Sequence, residues 1–265
     1  MTVALEHDEP RDLNTVIERA TDLLTRFAVP LYRDEGGAPA LVGSGFFVCY
    51  QHVNFLVSAA HVLEDLKTHT LFYYIESQVI RKLSGRLLLS PWSGSRDSDP
   101  VDIGVLRLSG TGQPPYPSVE KYAMDFSYLS ATPRTRVGKR YAVIGFPASR
   151  SAINRADRQV VTAAFAYLGR SVPENQYGQT GHDPSRHLVL SFDRKRSFSL
   201  EGAHRVFPRP YGISGSPIFE LYDDEASGAD RVFPVVGMIT SHKPQQHRMV
   251  GVDAQLVRRQ IQHAV

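Results

Sequence analysis

A short stretch in the last quarter of the chain, Gly212 to Pro217, reads GISGSP and carries a serine between two glycines. Glycine, serine and proline dominate tight turns for steric reasons, so one interpretation is an ordinary turn. The other is a nucleophile loop, in which glycines allow backbone N–H groups to converge on an oxyanion beside the Ser214 hydroxyl. A serine hydroxyl is a weak nucleophile, so the second interpretation requires a general base and a group that orients it.

His61 and Asp102 have the surroundings that fit those two roles. His61 follows two alanines at the end of an apolar run, in FLVSAAHV, and small residues there allow the imidazole to lie against backbone in a cleft. The alternative is a structural histidine satisfied by a backbone group. Asp102 heads the apolar run VDIGVLRL, where an acid is costly unless it is hydrogen-bonded or paired. Asp99 lies nearby in the polar loop SRDSD, where we expect solvated acids.

Short apolar, β-branched and aromatic runs separated by turn residues follow Pro30 and predict about ten strands. Almost no helical pattern separates them, which argues against βαβ units and favours an all-β fold of barrels or a sandwich. Helical spacing occurs at both ends. Residues 12–28 predict an amphipathic N-terminal helix, and residues 253–265 predict a C-terminal helix with Asp253 as its N-cap. A stretch rich in Gly, Pro and Ser, residues 109–138, divides the strands into two sets.

Composition narrows the class of protein. The 265 residues are 42% hydrophobic and 22% charged, which is ordinary for a globular protein and argues against a disordered or coiled-coil chain. The one cysteine, Cys49, excludes an intramolecular disulfide. No secretory signal pattern opens the chain and no apolar run is long enough to span a bilayer, so we expect a cytoplasmic protein without membrane contact. The basic clusters at 134–140 and 193–196 lack interleaved aromatic residues, so we expect no nucleic-acid partner.

Several motifs that carry a family resemblance follow one another between about residues 43 and 255: GSGFFV, FLVSAAHV, VDIGVLRL, GISGSP and VVGMITSH. In type and in chain order they resemble the trypsin/chymotrypsin-like serine peptidases, and most of all the bacterial trypsin-like branch without disulfides. The order His, Asp, Ser differs from the order in subtilisin and in the α/β-hydrolases.

The resemblance implies an all-β, chymotrypsin-like fold of two Greek-key β-barrels. Its parts would be an N-terminal helical extension at residues 1–30, a first barrel at 31–125, and a second barrel with the C-terminal helix at 126–265. It also implies that Ser214 is the acylating nucleophile and that His61 acts first as general base and then as general acid. Asp102 would hold the tautomer of the imidazole. The backbone N–H groups of Gly212 and Ser214 would form the oxyanion hole.

The resemblance also implies substrate contacts at Pro208, Thr240, Ser241 and His242. Trypsin-like preference for Lys or Arg needs an acid six residues before the nucleophile, and that position is Pro208, so we see no basis for this preference. Thr240 matches the residue whose hydroxyl often supports the catalytic acid. Ser241 and His242 match the edge segment that pairs with an extended substrate. Ile213 replaces the acid that anchors a newly cut N-terminus in digestive relatives, so we expect no activation by that route.

The implied function is a cytoplasmic serine endopeptidase that acts on protein or peptide substrates through an acyl-enzyme. We expect restricted specificity, a protein regulator, or both. No phosphate-binding glycine loop, dinucleotide fingerprint or metal-ligand spacing occurs, so no cofactor or metal is expected. Two alternatives remain. One is a pseudoprotease that binds peptides without cutting them. The other is an α/β-hydrolase esterase, which Ser216 and the lack of alternating helices oppose.

Overall fold

The computed structural model describes residues 26–75, 79–109, 119–131, 139–154, 159–192, 197–199, 204–205, 208–221 and 233–265. Most of the predicted N-terminal helix, residues 12–25, lies outside the described residues. Its predicted end at residue 28 is wrong, because residues 26 and 27 form a turn and Ala28 begins a strand. Pairing of this strand with the next one already includes Ala28, which lies opposite Phe46. Pro30 further favours an extended conformation at Val29.

Strands make up most of the described structure. In chain order they are β1 (Ala28–Glu35), β2 (Ala38–Tyr50), β3 (Val53–Ala59), β4 (Leu71–Ile75), β5 (Val79–Lys82), β6 (Gly85–Leu89), β7 (Ile103–Leu108), β8 (Ala123–Asp125), β9 (Arg140–Gly145), β10 (Ser151–Asn154), β11 (Gln159–Thr162), β12 (Phe165–Arg170), β13 (His187–Ser191), β14 (Ser197–Ser199), β15 (His204–Arg205), β16 (Pro217–Leu221), β17 (Val235–Lys243) and β18 (Arg248–Asp253). The α-helical segments among the described residues are α1 (Ala60–Leu63), α2 (Tyr177–Thr180) and α3 (Ala254–His263). The predicted number of about ten strands is too low for two reasons. Two apolar runs are each divided, one into β4 and β5 and the other into β11 and β12. Other strands lie outside the predicted runs, namely β1, β8, β10, β14, β15 and β18.

Two curled antiparallel sheets form two half-barrels, so the fold is mostly β, in agreement with the predicted class. The first sheet has the strand order β5-β4-β1-β2-β3-β7-β6, and β8 pairs in parallel with β2. The second has the order β13-β18-β17-β16-β9-β12-β14-β15, and β10 and β11 form a separate hairpin. Every strand of the first sheet precedes β9 in the chain. Each half-barrel is therefore built from its own part of the sequence.

Apolar strands are buried on both faces, because successive side chains alternate between a half-barrel interior and a core shared by the two sheets. In β2, Phe47 belongs to a cluster of first-sheet residues, whereas Phe46 belongs to the shared core together with Phe219 of the second sheet. In β3, Leu56 likewise belongs to the first-sheet cluster, whereas Phe55 belongs to the shared core. Burial of both faces explains why these strands read as continuous apolar runs rather than as alternating patterns.

The C-terminal helix α3 begins where the sequence predicts. Asp253 is its N-cap, and the carboxylate accepts a hydrogen bond from the N–H of Gln255 at 2.9 Å. Val257 and Ile261 lie on the buried face of α3 and join the shared core. Neither α3 nor any other helix in the described part of the chain is long and apolar enough to cross a bilayer.

Candidate active site

His61 and Asp102 are in contact through both carboxylate oxygens. His61 lies on α1, directly after β3, and Asp102 directly precedes β7, which pairs with β3 in the sheet. The Nδ1 atom of His61 is 2.6 Å from Oδ2 of Asp102, and the main-chain N–H of His61 donates to Oδ1 at 2.9 Å. The N–H of Ala60 donates to the carbonyl of Asp102 at 2.9 Å. These bonds fix both the position and the orientation of the imidazole.

The hydrogen-bond pattern assigns the proton on the His61 ring. An ionised carboxylate only accepts hydrogen bonds, so Nδ1 carries a proton and donates it. In the neutral imidazole, Nε2 then has a lone pair and can accept a proton. The side chain of Asp102 is 6% exposed and that of His61 is 35% exposed, so the acid is shielded while the ring reaches solvent. The pair can therefore act as an oriented general base.

Ser214 lies in a turn that is anchored to both half-barrels. Its carbonyl accepts a hydrogen bond from the N–H of Ser44 in β2 at 2.8 Å. The next residue, Gly215, donates its N–H to the carbonyl of Ile239 in β17 at 2.7 Å. Gly212 and Gly215 both have a φ of +90°, a region that residues with a Cβ rarely adopt. The two glycines thus allow the chain to turn sharply on either side of the serine.

The backbone N–H groups of Gly212 and Ser214 have no hydrogen-bond acceptor among the described residues. The peptide that carries the Gly212 N–H is held through the Tyr211 carbonyl, which accepts from the N–H of Ala148 at 2.7 Å. The next peptide is held by the buried Ser44 hydroxyl, which donates to the Gly212 carbonyl at 2.7 Å and accepts from the N–H of Phe146 at 3.0 Å. A fixed pair of available N–H donors is what an oxyanion hole requires.

Gly43 brings the segments of His61 and Ser214 face to face. A Cβ at Gly43 would lie 2.6 Å from Cγ1 of Val62, the residue after His61, and 3.2 Å from the carbonyl oxygen of Ser214. A larger residue would push these two segments apart. The hydroxyl of Ser214 also makes a long hydrogen bond of 3.4 Å to the carbonyl of Thr240. The Ser214 turn therefore lies close to β2 and β17, and the residue after His61 packs against the same glycine of β2.

Thr240 does not support Asp102 in the way that the sequence suggests. It lies at an irregularity in the pairing of β17 with β18. Its hydroxyl donates to the carbonyl of Val250 in β18 at 3.4 Å, and among the described residues it makes no hydrogen bond to Asp102. In the described structure the Thr240 hydroxyl thus bonds to β18 rather than to Asp102. Thr240 instead contributes its carbonyl, next to the Ser214 hydroxyl.

The other predicted substrate-binding residues lie on either side of the Ser214 turn. Pairing of β17 with β16 ends at Met238, so in the described structure Ser241 and His242 pair with β18 alone. The ring of His242 packs edge-on against Phe192, with ring centroids 4.9 Å apart. Pro208 is buried and precedes the turn. Ser241 and His242 come directly after Thr240 in β17, and the Thr240 carbonyl lies next to the Ser214 hydroxyl.

The carboxylate side chain of Asp99 is buried, and the prediction that it is solvated is wrong. Its side chain is 1% exposed. It accepts hydrogen bonds from the Ser90 hydroxyl at 2.7 Å, from Arg96 at 2.6 Å and from the N–H of Val101 at 2.9 Å. Burial by itself would raise the pKa of Asp99, but bonds from Ser90, from two backbone N–H groups of the turn and from Arg96 outweigh it and hold the pKa below its usual value. The aspartate–proline pair, which favours a turn, was the available sequence signal.

No protein-family model and no curated protein sequence matches the chain. Among the described residues, no three His, Cys, Asp or Glu side chains come together as metal ligands. Of the two basic clusters, residues 134–138 and 193–196 lie outside the described residues. Lys139, at the edge of the first cluster, pairs with the buried Glu220 at 3.2 Å.

Proposed function

We propose that this protein is a serine endopeptidase of the trypsin/chymotrypsin-like type, with two Greek-key β-barrels and with Ser214, His61 and Asp102 as its catalytic residues. The observation that carries the proposal is the double contact of His61 with the buried Asp102 carboxylate, which orients a ring whose side chain is 35% exposed. A structural histidine is satisfied by one partner and needs no buried acid that also binds its main-chain N–H. The Ser214 turn supports the same proposal, because the N–H groups of Gly212 and Ser214 donate to no other described residue.

In the first half-reaction the Ser214 hydroxyl oxygen attacks the carbonyl carbon of a substrate peptide bond, and the hydroxyl proton passes to Nε2 of His61. The Asp102 carboxylate stabilises the imidazolium that forms. The substrate carbonyl oxygen becomes an oxyanion, to which the N–H groups of Gly212 and Ser214 donate. Collapse of this intermediate breaks the C–N bond. His61 returns its proton to the leaving amine, and an ester remains on Ser214.

In the second half-reaction a water molecule attacks that ester while Nε2 of His61 accepts one of its protons. The same N–H groups stabilise the second oxyanion. Its collapse breaks the bond to the serine oxygen, which takes the proton back from His61, and releases a peptide with a new C-terminal carboxyl group. Neither step requires a cofactor.

An extended substrate would bind by adding a strand to β17 beside Ser241 and His242, where main-chain hydrogen bonds give affinity. This segment follows Thr240, whose carbonyl lies 3.4 Å from the Ser214 hydroxyl, so a strand bound there would lead to the nucleophile. Pro208 supplies no carboxylate, and the proposal therefore includes no preference for Lys or Arg. The free Cys49 suits a reducing compartment, and we place the activity in the cytoplasm.

Digestion of an unfolded protein in water enriched with oxygen-18, followed by mass spectrometry of the products, tests the proposal. We expect the wild type to produce peptides whose new C-termini carry the heavy oxygen. Ser214→Ala should lose roughly 10⁴-fold or more of the rate. Ser109→Ala is the matched control, because Ser109 is exposed at the far end of β7, about 23 Å along the strand from Asp102.

Two outcomes would contradict the proposal. One is cleavage that persists at the wild-type rate in Ser214→Ala. The other is a wild-type protein that is folded, as judged by its circular-dichroism β signature, and that cleaves no peptide bond in the substrate.

A further inference from the structure

We infer that Asp99 and Arg96 are positioning residues that hold Asp102 against His61, an inference whose catalytic consequence rests on the proposed function. Asp102 ends a turn, residues 99–102, which we call the acid turn. Its φ is +48°, in the left-handed region that residues with a Cβ seldom occupy. Such a conformation persists only where neighbouring contacts hold it. The contacts of the acid turn therefore decide where the Asp102 carboxylate lies.

Asp99 closes the acid turn from inside. Its Oδ1 accepts the N–H of Val101 at 2.9 Å, and its Oδ2 accepts the Ser90 hydroxyl at 2.7 Å and Arg96 Nη1 at 2.6 Å. The Ser90 hydroxyl oxygen in turn accepts the N–H of Ile103, the residue after Asp102, at 3.2 Å. One buried carboxylate and one buried hydroxyl thus hold both ends of the turn.

Arg96 links the acid turn to the segment that carries His61. Its Nη1 lies 2.6 Å from Asp99, and its Nε lies 3.4 Å from Oε2 of Glu64, which comes three residues after His61. The same Nη1 donates to the carbonyl of Ser90 at 2.9 Å. The side chain is 14% exposed, which is low for an arginine. A planar guanidinium presents several donors in fixed directions, so this one side chain can span the two segments that meet at the His61–Asp102 contact.

The second half-barrel supports the acid turn from another direction. Nε2 of the buried His187, at the start of β13, lies 2.6 Å from the carbonyl of Pro100. A carbonyl only accepts hydrogen bonds, so Nε2 carries a proton and donates it. The acid turn is therefore fixed by side chains from both half-barrels, and the Asp99–Arg96 pair is the charged part of that support.

Asp99→Asn should loosen the acid turn. Asparagine has nearly the same shape, but an NH₂ group replaces one of the two accepting oxygens and would face a donor on either side. The side chain would also lose the charge that pairs with Arg96. With the turn no longer closed, Asp102 is free to leave its left-handed conformation, and its carboxylate moves away from His61.

The test compares Asp99→Asn and Arg96→Lys with a control of equal burial. Glu220 is also 1% exposed and forms an ion pair with Lys139 at 3.2 Å, in the second sheet, so Glu220→Gln removes a buried charge without touching the acid turn. The first readout is kcat and KM on a peptide from the digestion. The second is the far-downfield proton resonance of the His61 Nδ1–H group in the NMR spectrum, assigned by its loss in His61→Ala. This resonance reports on the contact with Asp102 whether or not the protein hydrolyses peptides.

In Asp99→Asn we expect kcat to fall roughly ten- to a hundredfold, the effect of misplacing a group by about 1 Å, with KM unchanged. The His61 resonance should disappear. Arg96→Lys keeps the positive charge but not the planar set of donors, so it should lose less of kcat and less of the His61 resonance. This variant provides the test if Asp99→Asn does not fold. Glu220→Gln should keep both readouts.

Wild-type kcat and an unchanged His61 resonance in the folded Asp99→Asn and Arg96→Lys variants would overturn the inference. Equal losses of kcat and of the His61 resonance in Glu220→Gln would overturn it too, because removal of any buried charge would then have the same effect. If the wild type shows the resonance but hydrolyses nothing, the proposed function fails. In that case, loss of the resonance in Asp99→Asn would still support the positioning role.

Discussion

Gly215 is the position where one added methyl group tests the packing behind the proposed nucleophile. Its φ is +90°, and a Cβ there would lie well inside van der Waals contact with the Ser44 carbonyl oxygen and with Oγ of Ser58. Those two groups are hydrogen-bonded to each other at 2.6 Å. The N–H of Ser44 also holds the Ser214 carbonyl at 2.8 Å. Gly215→Ala must therefore move the backbone that anchors Ser214.

The expected loss of unfolding free energy in Gly215→Ala has two parts. A residue with a Cβ in this backbone region costs about 1–2 kcal/mol. Overpacking against well-packed buried groups costs about 1–3 kcal/mol. The sum is about 2–5 kcal/mol, and since 1 kcal/mol corresponds to about 2–4 °C for a chain of this size, Tm should fall by roughly 4–20 °C. Ser214 should also lose its reactivity toward a fluorophosphonate probe.

Two other glycines serve as controls that separate the backbone cost of Gly215→Ala from its overpacking cost. Gly36 has a φ of +64°, but a Cβ there meets nothing within 4 Å, so Gly36→Ala should show the backbone cost alone, about 1–2 kcal/mol. Gly178 in α2 has the same open space without a positive φ, so Gly178→Ala should be neutral or stabilising by up to about 1 kcal/mol. Both variants should keep full probe labelling. Thermal melts and intact-mass analysis of all three variants make the comparison.

A Gly215→Ala variant that melts together with Gly36→Ala and is labelled at the wild-type rate would refute this reasoning. It would mean that the Ser214 turn is not held by close contact with Ser44 and Ser58.

Three further predictions concern the site and its surroundings. Asp102→Asn should lower kcat roughly 10⁴-fold in single-turnover assays while the fold is kept, because the amide no longer enforces the required imidazole tautomer. Ser44→Ala removes the hydroxyl that holds the Gly212 carbonyl and should cost about 1–3 kcal/mol in urea unfolding. Burial, together with the neighbouring charges of a histidine and a lysine, lowers the pKa of His182 from 6.5 to about 4. As the pH falls from 6.5 to about 4, the unfolded chain therefore binds a proton at His182 before the folded chain does, and the free energy of unfolding decreases. Because the ring is only half-buried, we expect this decrease to be on the order of 1–2 kcal/mol. The His182→Gln variant should not show it.

Each of these predictions has a contradicting result. For Asp102→Asn it is turnover close to that of the wild type. For Ser44→Ala it is an unchanged urea midpoint. For His182→Gln it is a curve of stability against pH that parallels the wild-type curve through the whole window from 6.5 to about 4.

The strands and the candidate residues could be predicted from the sequence because their signals are local. Runs such as GFFV and FLVSA are apolar at every position, which is typical of strands buried on both faces. His61 stands out because it follows two small residues at the end of such a run. Asp102 stands out because an acid heads an apolar strand. The contact between the two, at 2.6 Å, joins residues at neighbouring strand ends.

The burial of Asp99 could not be predicted, because its partners Ser90 and Arg96 come from different parts of a loop whose path only the folded chain defines. A polar loop composition predicts solvent exposure, whereas hydrogen bonds within the folded loop bury the Asp99 carboxylate here. The bond of the Thr240 hydroxyl to the carbonyl of Val250 likewise depends on how β17 and β18 pair in the folded chain. The left-handed backbone of Asp102 has no sequence signal, since aspartate occurs in many other conformations.

Intact-mass analysis after exposure to a fluorophosphonate probe at neutral pH tests most directly whether Ser214 is an activated nucleophile. We predict that the wild type and Ser109→Ala each gain one probe mass, and that Ser214→Ala and His61→Ala gain none. A folded wild type that stays unlabelled, or a Ser214→Ala variant that is labelled like the wild type, would contradict the claim that His61 and Asp102 activate Ser214.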